Sequence, residues 1–254
     1  MLLVLWRVWF YFIAALPVVL LFAPLVLIMM FPNGYRIVFW IARNIWAPIV
    51  LYGMGFQVRK MGVFPKEEFP VMLVANHTSY IDVMVMLRMR KEPFVFVGKK
   101  ELVKIPLFGY IFKRAAIMVD RSNAKSRYGV YRRAEIVIAK GYSVCIFPEK
   151  DYLDETVLLN PFKQGAFKLG IEHQLPIFPM VFLDCKRKFP WYTTHGYPGI
   201  LRVKGLNLID TQNLALDDIP KLQEQVYKQI KQELLDDPQQ QAIKAISIWK
   251  TQSS

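Results

Sequence analysis

Val71-Met72-Leu73-Val74-Ala75-Asn76-His77-Thr78-Ser79-Tyr80-Ile81-Asp82 decides how the rest of the chain is read. An apolar run of β preference, Val71 to Val74, leads into Asn76 and His77, and a mixed apolar segment with helical potential follows from about Ser79. The histidine is thereby placed at a strand end, the position from which α/β proteins act on ligands. His77 and Asp82 are separated by about 500° of rotation on one uninterrupted helix, so they share no helical face. They meet only if His77 lies on the turn before the helix and Asp82 reaches back from its first turn, with Thr78 or Ser79 as N-cap. A carboxylate so placed fixes one imidazole nitrogen and leaves the other free to take a proton from a hydroxyl. The same residues also fit a plainer role, in which His77 caps the helix and Asp82 complements its dipole.

Further apolar runs of strand length follow at Phe94 to Val97, Ala116 to Val119, Val144 to Phe147, Ile177 to Leu183 and Leu201 to Lys204. Helical spacing occupies Lys125 to Ala139, with Gly141 placed to terminate it, and Phe162 to His173. Strands alternating with helix-length segments predict an α/β fold, a mostly parallel or mixed sheet flanked by helices. Pro179 is expected to bend its strand or to mark an edge. Near the C-terminus, Ile219, Leu222, Val226, Ile230 and Leu234 make an apolar stripe on a helix capped by Asp217 or Asp218.

Upstream, Val8 to Phe31 contains no charged residue and as a straight helix is roughly 36 Å long, enough for a bilayer core. Pro17 and Pro24 either kink it or fold it into a hairpin within one leaflet, and Pro32-Asn33-Gly34 signals a turn. Tyr35 to Phe56 mixes Trp40, Trp46 and Tyr52 with Arg36 and Arg43, which suits a helix in the headgroup region or a core helix equally. Polar sequence begins at Gln57, so residues 1–56 form a hydrophobic membrane-associating segment and residues 57–254 a single globular domain. A chain that is 54% hydrophobic with a net charge of +13 suits an anionic bilayer surface. Nucleic acid is the other common partner of such charge, and no nucleic-acid module is recognisable. Cys145 and Cys185 suit a reducing compartment, Cys145 as a small buried hydrophobe.

The strands end in polar clusters: Asn76-His77, Gly98-Lys99-Lys100, Asp120-Arg121 and Pro148-Glu149-Lys150. A parallel sheet gathers its strand ends along one edge, and a base flanked by cations suits a phosphorylated substrate that supplies a hydroxyl. His77, His173 and His195 show no ligand spacing, so no metal is expected, and no Gly-x-Ser-x-Gly nucleophile elbow is present.

These clusters carry a resemblance. Asn76 to Asp82, Val97 to Leu102 with Ile105 to Gly109 and Ile117 to Arg121, Phe147-Pro148-Glu149, and Leu175 to Met180 resemble, in order, the four blocks of the glycerolipid acyltransferase family, most closely the bacterial 1-acyl-sn-glycerol-3-phosphate acyltransferases. The chain departs from the family in having Lys150-Asp151 where glycine and then Thr or Ser usually follow Phe-Pro-Glu, and Ala115 where the second block commonly starts with glycine.

The resemblance implies a glycerol-3-phosphate acyltransferase-like fold at the cytoplasmic face of the bacterial inner membrane. His77 would be general base on the sn-2 hydroxyl of a lysophospholipid and Asp82 its partner. Acyl-CoA or acyl-carrier protein would be the co-substrate, with no cofactor. Asn76, Lys99, Lys100, Arg121, Phe147, Pro148, Glu149 and Lys150 would contact substrate, Arg121 first among them at the acceptor phosphate and Glu149 positioning the acceptor or a phosphate-binding loop. A lyso-aminolipid acceptor, and a lipid-binding protein without turnover, are the alternatives.

Overall fold

A computed structural model gives the structure and describes residues 2–65, 69–119, 124–149, 157–191 and 193–240. The chain opens with helices α1 (Leu2–Leu20), α2 (Phe22–Ile28), α3 (Gly34–Ile41) and α4 (Ala47–Gly53), the last two joined by a wide π-type turn, Ala42–Trp46. Next come β1 (Phe56–Gly62), β2 (Met72–Ala75), α5 (Asp82–Met89), β3 (Phe94–Lys99), a tight 3-10 turn (Lys100–Lys104) and α6 (Phe108–Ala115). They are followed by β4 (Ile117–Val119), α7 (Ala124–Ala139), β5 (Ser143–Ile146), α8 (Gly165–Glu172) and β6 (Ile177–Phe182). The last elements among the described residues are α9 (Cys185–Lys188), β7 (Gly199–Gly205) and α10 (Ile219–Asp236). Two compact units result: Met1–Gln57 with Glu68–Pro70 and Val83–Ile146, and Val58–Glu67 with Val71–Asp82 and Phe147–Ser254.

In the first unit the strands run β5-β3-β4, all parallel. The register pairs Lys99 with Val119, so the segments leaving β3 and β4 start side by side. The apolar leader is helical through Pro17, and α1 is long and apolar enough to cross a membrane. Its break at Leu21 has a simple cause: Pro24 lacks the N–H that would meet the carbonyl of Leu20. The chain reverses at Pro32-Asn33 rather than at Pro17 or Pro24, so that α3 packs beside α2 and the stretch from Trp46 through α4 returns antiparallel along α1. Trp9 Nε1 donates to the Gly53 carbonyl and Trp46 Nε1 to that of Ala14, both at 2.9 Å. The absence of a side chain at Gly53 admits Ile13, whose Cδ1 would stand 2.9 Å from a Cβ there. Tyr35 to Phe56 has two faces: Val38, Phe39, Ala47, Val50 and Leu51 are buried, while Ile37, Trp40, Ile49 and Tyr52 are exposed.

In the second unit the order is β1-β7-β6-β2, with β2 parallel to β6 and β7 antiparallel to it. Pro179 does not mark an edge. It lies in β6 between two partners, opposite Leu206, where β7 has already ended, so its missing N–H breaks no ladder bond. β1 escaped the sequence reading because it is an outer strand whose residues after Phe56 are largely exposed, which leaves no period-two apolar signal. The apolar stripe of α10 is buried residue for residue, and Asp218 is its N-cap. Helix α7 ends near Gly141, whose φ of +77° permits the reversal.

Candidate active site

The second unit holds the residues of the opening motif. Strand β2 stops at Ala75 because the Asn76 side chain takes over its ladder: Oδ1 accepts the Phe182 N–H at 2.7 Å and Nδ2 donates to the Phe182 carbonyl at 3.0 Å. Both ends of this buried amide are thus engaged with β6, and Asn76 fixes the turn. The predicted helix start is corrected. Helix α5 begins at Asp82 rather than near Ser79, and neither Thr78 nor Ser79 is its N-cap. The reason is the Asp82 carboxylate, which accepts the backbone N–H of Thr78 at 2.7 Å and of Ser79 at 2.8 Å and so curls residues 78–81 into a turn. Ser79 Oγ is bonded to the Phe189 carbonyl.

That turn brings Asp82 Oδ2 to 2.9 Å from His77 Nδ1. Asp82 is fully buried, whereas the His77 side chain keeps 21% of its surface open. With Nδ1–H donated to the carboxylate, Nε2 is the basic nitrogen. The ring is held by aromatic neighbours as well. Phe147 stacks on it, centroids 4.0 Å apart and planes at 16°, and Trp191 stands perpendicular to it at 4.5 Å and 79°.

Glu149 faces inward. Its Oε1 accepts the His77 N–H at 2.6 Å, and its Oε2 accepts both the backbone N–H and the side-chain Nδ2 of Asn160 at 3.1 Å. Burial raises its pKa, partly offset by these hydrogen bonds. Pro148 is buried, and its carbonyl accepts the Lys163 N–H. Cys185 is buried beside Asp82; burial first, and then that carboxylate, push its thiol well above the ordinary range. Cys145, also buried and unbridged, fills the core as expected.

His77, Asp82, Asn76, Phe147, Pro148 and Glu149 therefore come together. Lys100 belongs to the first unit, where it opens the turn after β3. Arg121, Lys150 and the side chain of Lys99 lie outside the described residues. Among the described residues no group of His, Cys, Asp and Glu could hold a metal. Asn160, Cys185 and Trp191 were missed, since they sit in no motif. The one available signal was that Trp191 is the lone tryptophan between Trp46 and Trp249.

A partly open imidazole with a buried carboxylate on one nitrogen, at a strand end of an α/β fold, is an arrangement chemically able to take a proton from a hydroxyl. A family model described as Acyltransferase matches residues 55–183. The Homo sapiens 1-acyl-sn-glycerol-3-phosphate acyltransferase beta is 30% identical over 198 residues, which cover 75% of this chain and 67% of that protein. The alpha enzyme of Mus musculus is 30% identical over 182 residues, 69% of this chain and 62% of that one. The crystal structure of the 1-acyl-sn-glycerophosphate (LPA) acyltransferase PlsC from Thermotoga maritima shares the fold, with a TM-score of 0.73 over 92% of this chain and 96% of that one at 20% identity. The chain spans roughly two thirds of the length of the human and mouse relatives. It belongs to the acyltransferase family and is an acyl-transferring enzyme.

Proposed function

We propose that the protein transfers a fatty acyl group from acyl-CoA or acyl-carrier protein to the sn-2 hydroxyl of 1-acyl-glycerol-3-phosphate, giving phosphatidic acid for phospholipid synthesis. The observation that carries this is the 2.9 Å contact between His77 Nδ1 and Asp82 Oδ2, which leaves Nε2 as the nitrogen not held by Asp82, on a side chain that is 21% exposed. His77 Nε2 removes the hydroxyl proton as the acceptor oxygen bonds to the thioester carbon. Asp82 stabilises the imidazolium, and the tetrahedral oxyanion is met by backbone N–H groups near Phe147-Pro148-Glu149. Collapse breaks the C–S bond, and the departing sulfur takes the proton back from His77. No covalent enzyme intermediate and no cofactor are needed. Glu149 positions the base through the His77 N–H, and Arg121, with Lys99, Lys100 and Lys150, binds the acceptor phosphate.

Residues 1–56 hold the enzyme on the cytoplasmic face of the bacterial inner membrane, with residues 57–254 as the acyltransferase domain. The exposed apolar side chains of α1 and the net charge of +13 support this placement. The departure at Lys150-Asp151 from the family's glycine and Thr or Ser bears on the acceptor headgroup, and the second reading is a lyso-aminolipid acceptor without phosphate.

The test is a transfer assay in detergent with lysophosphatidate, comparing acyl-CoA with acyl-carrier protein and including His77→Ala. Product formation lost with His77→Ala supports the proposal, and product formation that survives it overturns the role of His77. Arg121→Ala separates the acceptors: a sharply raised KM for lysophosphatidate is expected, and no change points to the aminolipid.

A further inference from the structure

Between β3 and α6 the chain presents a ridge that neither the core nor the proposed chemistry uses. Leu102, Ile105 and Leu107 are exposed, Ile105 at 46%, and Tyr110 joins them from the first turn of α6. So many large apolar groups on one short exposed segment mark a contact surface. They stand on a firm base. A Cβ on Gly109 would lie 2.0 Å from the Val103 carbonyl oxygen, and one on Gly98 would lie 2.4 Å from the Phe112 ring. Ile111, on the inner side, is buried with Leu25 and Val38. Leu107 is held at φ +59°, a conformation leucine rarely adopts, with its side chain outside the core.

Exposed cations flank the ridge at Lys104, Lys113 and Arg114. The Arg114 guanidinium lies 3.7 Å from the centre of the Tyr110 ring and donates to the Tyr110 hydroxyl at 2.6 Å. Tyr110 also meets Phe22 of α2, ring centroids 5.8 Å apart, so the ridge is continuous with the apolar leader and its exposed Leu27, Met30 and Phe31. Apolar tips, an interfacial tyrosine and a fringe of cations are the chemistry of a segment that lies on an anionic bilayer.

We propose that residues 102–110 are a second membrane contact, seating their apolar side chains at the boundary of headgroups and acyl chains while Lys104, Lys113 and Arg114 meet lipid phosphates. This rests on the membrane reading of α1 and extends it to a surface well outside residues 1–56. The occupant is the bilayer rather than a protein, because Phe22 and Tyr110 make the ridge and the leader one surface.

The test uses the full-length protein in vesicles of phosphatidylethanolamine and phosphatidylglycerol, carrying an environment-sensitive fluorophore on one introduced cysteine. Native Cys145 and Cys185 are buried and do not compete. The label at Ile105→Cys is expected to be quenched about twofold or more by nitroxide lipids, since interfacial segments sit roughly 5–10 Å below the headgroups. The label at Leu5→Cys on α1 should be quenched as well, and the label at Ile136→Cys on the exposed face of α7 should not. Quenching at Leu5 without quenching at Ile105 overturns the ridge and leaves the α1 reading standing; quenching at neither overturns both. Replacing phosphatidylglycerol by phosphatidylcholine should reduce the Ile105 signal, and an unchanged signal overturns the part assigned to the cations. Quenching that follows protein concentration rather than lipid composition overturns the proposal in favour of contact between copies of the chain.

Discussion

The Asp82 carboxylate oxygen that lies 2.9 Å from His77 Nδ1 is the same oxygen that accepts the backbone N–H groups of Thr78 and Ser79. One buried atom orients the His77 ring and folds the turn that carries it. The two jobs separate by mutation. His77→Ala leaves the backbone bonds intact, so it should lower kcat by about 10²-fold or more with little change in Tm. Asp82→Ala should match that loss and also destabilise the fold by about 1–3 kcal/mol for each N–H left without an acceptor. Transfer assays beside thermal unfolding check this, and equal Tm values for the two variants would remove the structural half of the claim.

Glu149 holds the same histidine through its backbone, accepting the His77 N–H at 2.6 Å. A carboxylate that positions the base affects turnover, whereas one that touches the acceptor affects its binding. Glu149→Ala should therefore lower kcat on the order of 10²-fold while the lysophosphatidate KM moves little. Asn160→Ala, which removes only the side-chain bond to Glu149, should show a weaker version of the same pattern. A rise in KM with kcat preserved in either variant would reassign Glu149 to the acceptor.

The opening motif and the alternation of strands and helices were legible in the sequence because each is local: a run of β-type residues, a turn, a period. The stripe of α10 is of this kind, and every one of its positions is buried. What stayed hidden depends on chain pairing over long distances. Asn76 reads as a polar strand end, and only β6 reveals that its amide serves the Phe182 backbone. The late start of α5 was missed because Thr78 and Ser79 are good N-cap residues, and a capping preference of this size yields to a buried carboxylate collecting both of their N–H groups. Trp191 reaches His77 from beyond β6, a distance in sequence that no spacing rule covers.

Trp191 should act on the reaction through the ring it touches. Its indole stands at 79° to the imidazole while Phe147 lies flat against it, which leaves the ring few orientations. Trp191→Ala is expected to lower kcat by roughly tenfold through a looser base, with the acceptor KM nearly unchanged, and Trp191→Phe to recover most of the loss. Steady-state kinetics of both variants settle it: an unchanged kcat in Trp191→Ala would show that Phe147 and Asp82 suffice.

Asp184 predicts how the second unit responds to acid. Its carboxylate receives Nε and Nη2 of Arg202 and the Arg202 backbone N–H, each at 2.8 Å, and Arg202 also reaches Asp237 at 2.7 Å, so β6, β7 and the end of α10 are tied together. Burial alone would raise the pKa of Asp184, but the bonds from Arg202 and Arg187 outweigh it and hold the group below the ordinary 3.8. A carboxyl group whose pKa is lowered by folding binds fewer protons in the native state than in the unfolded one. Its stabilisation is therefore complete above about 3.8 and disappears as pH falls through the lower native value. Asp184→Asn should cost about 3 kcal/mol in urea unfolding at neutral pH, the low end for a broken buried pair because Asp237 remains with Arg202. The gap between variant and wild type should close below pH 3.8. A gap that persists unchanged into that range would mean that the loss comes from packing and not from the charge on Asp184.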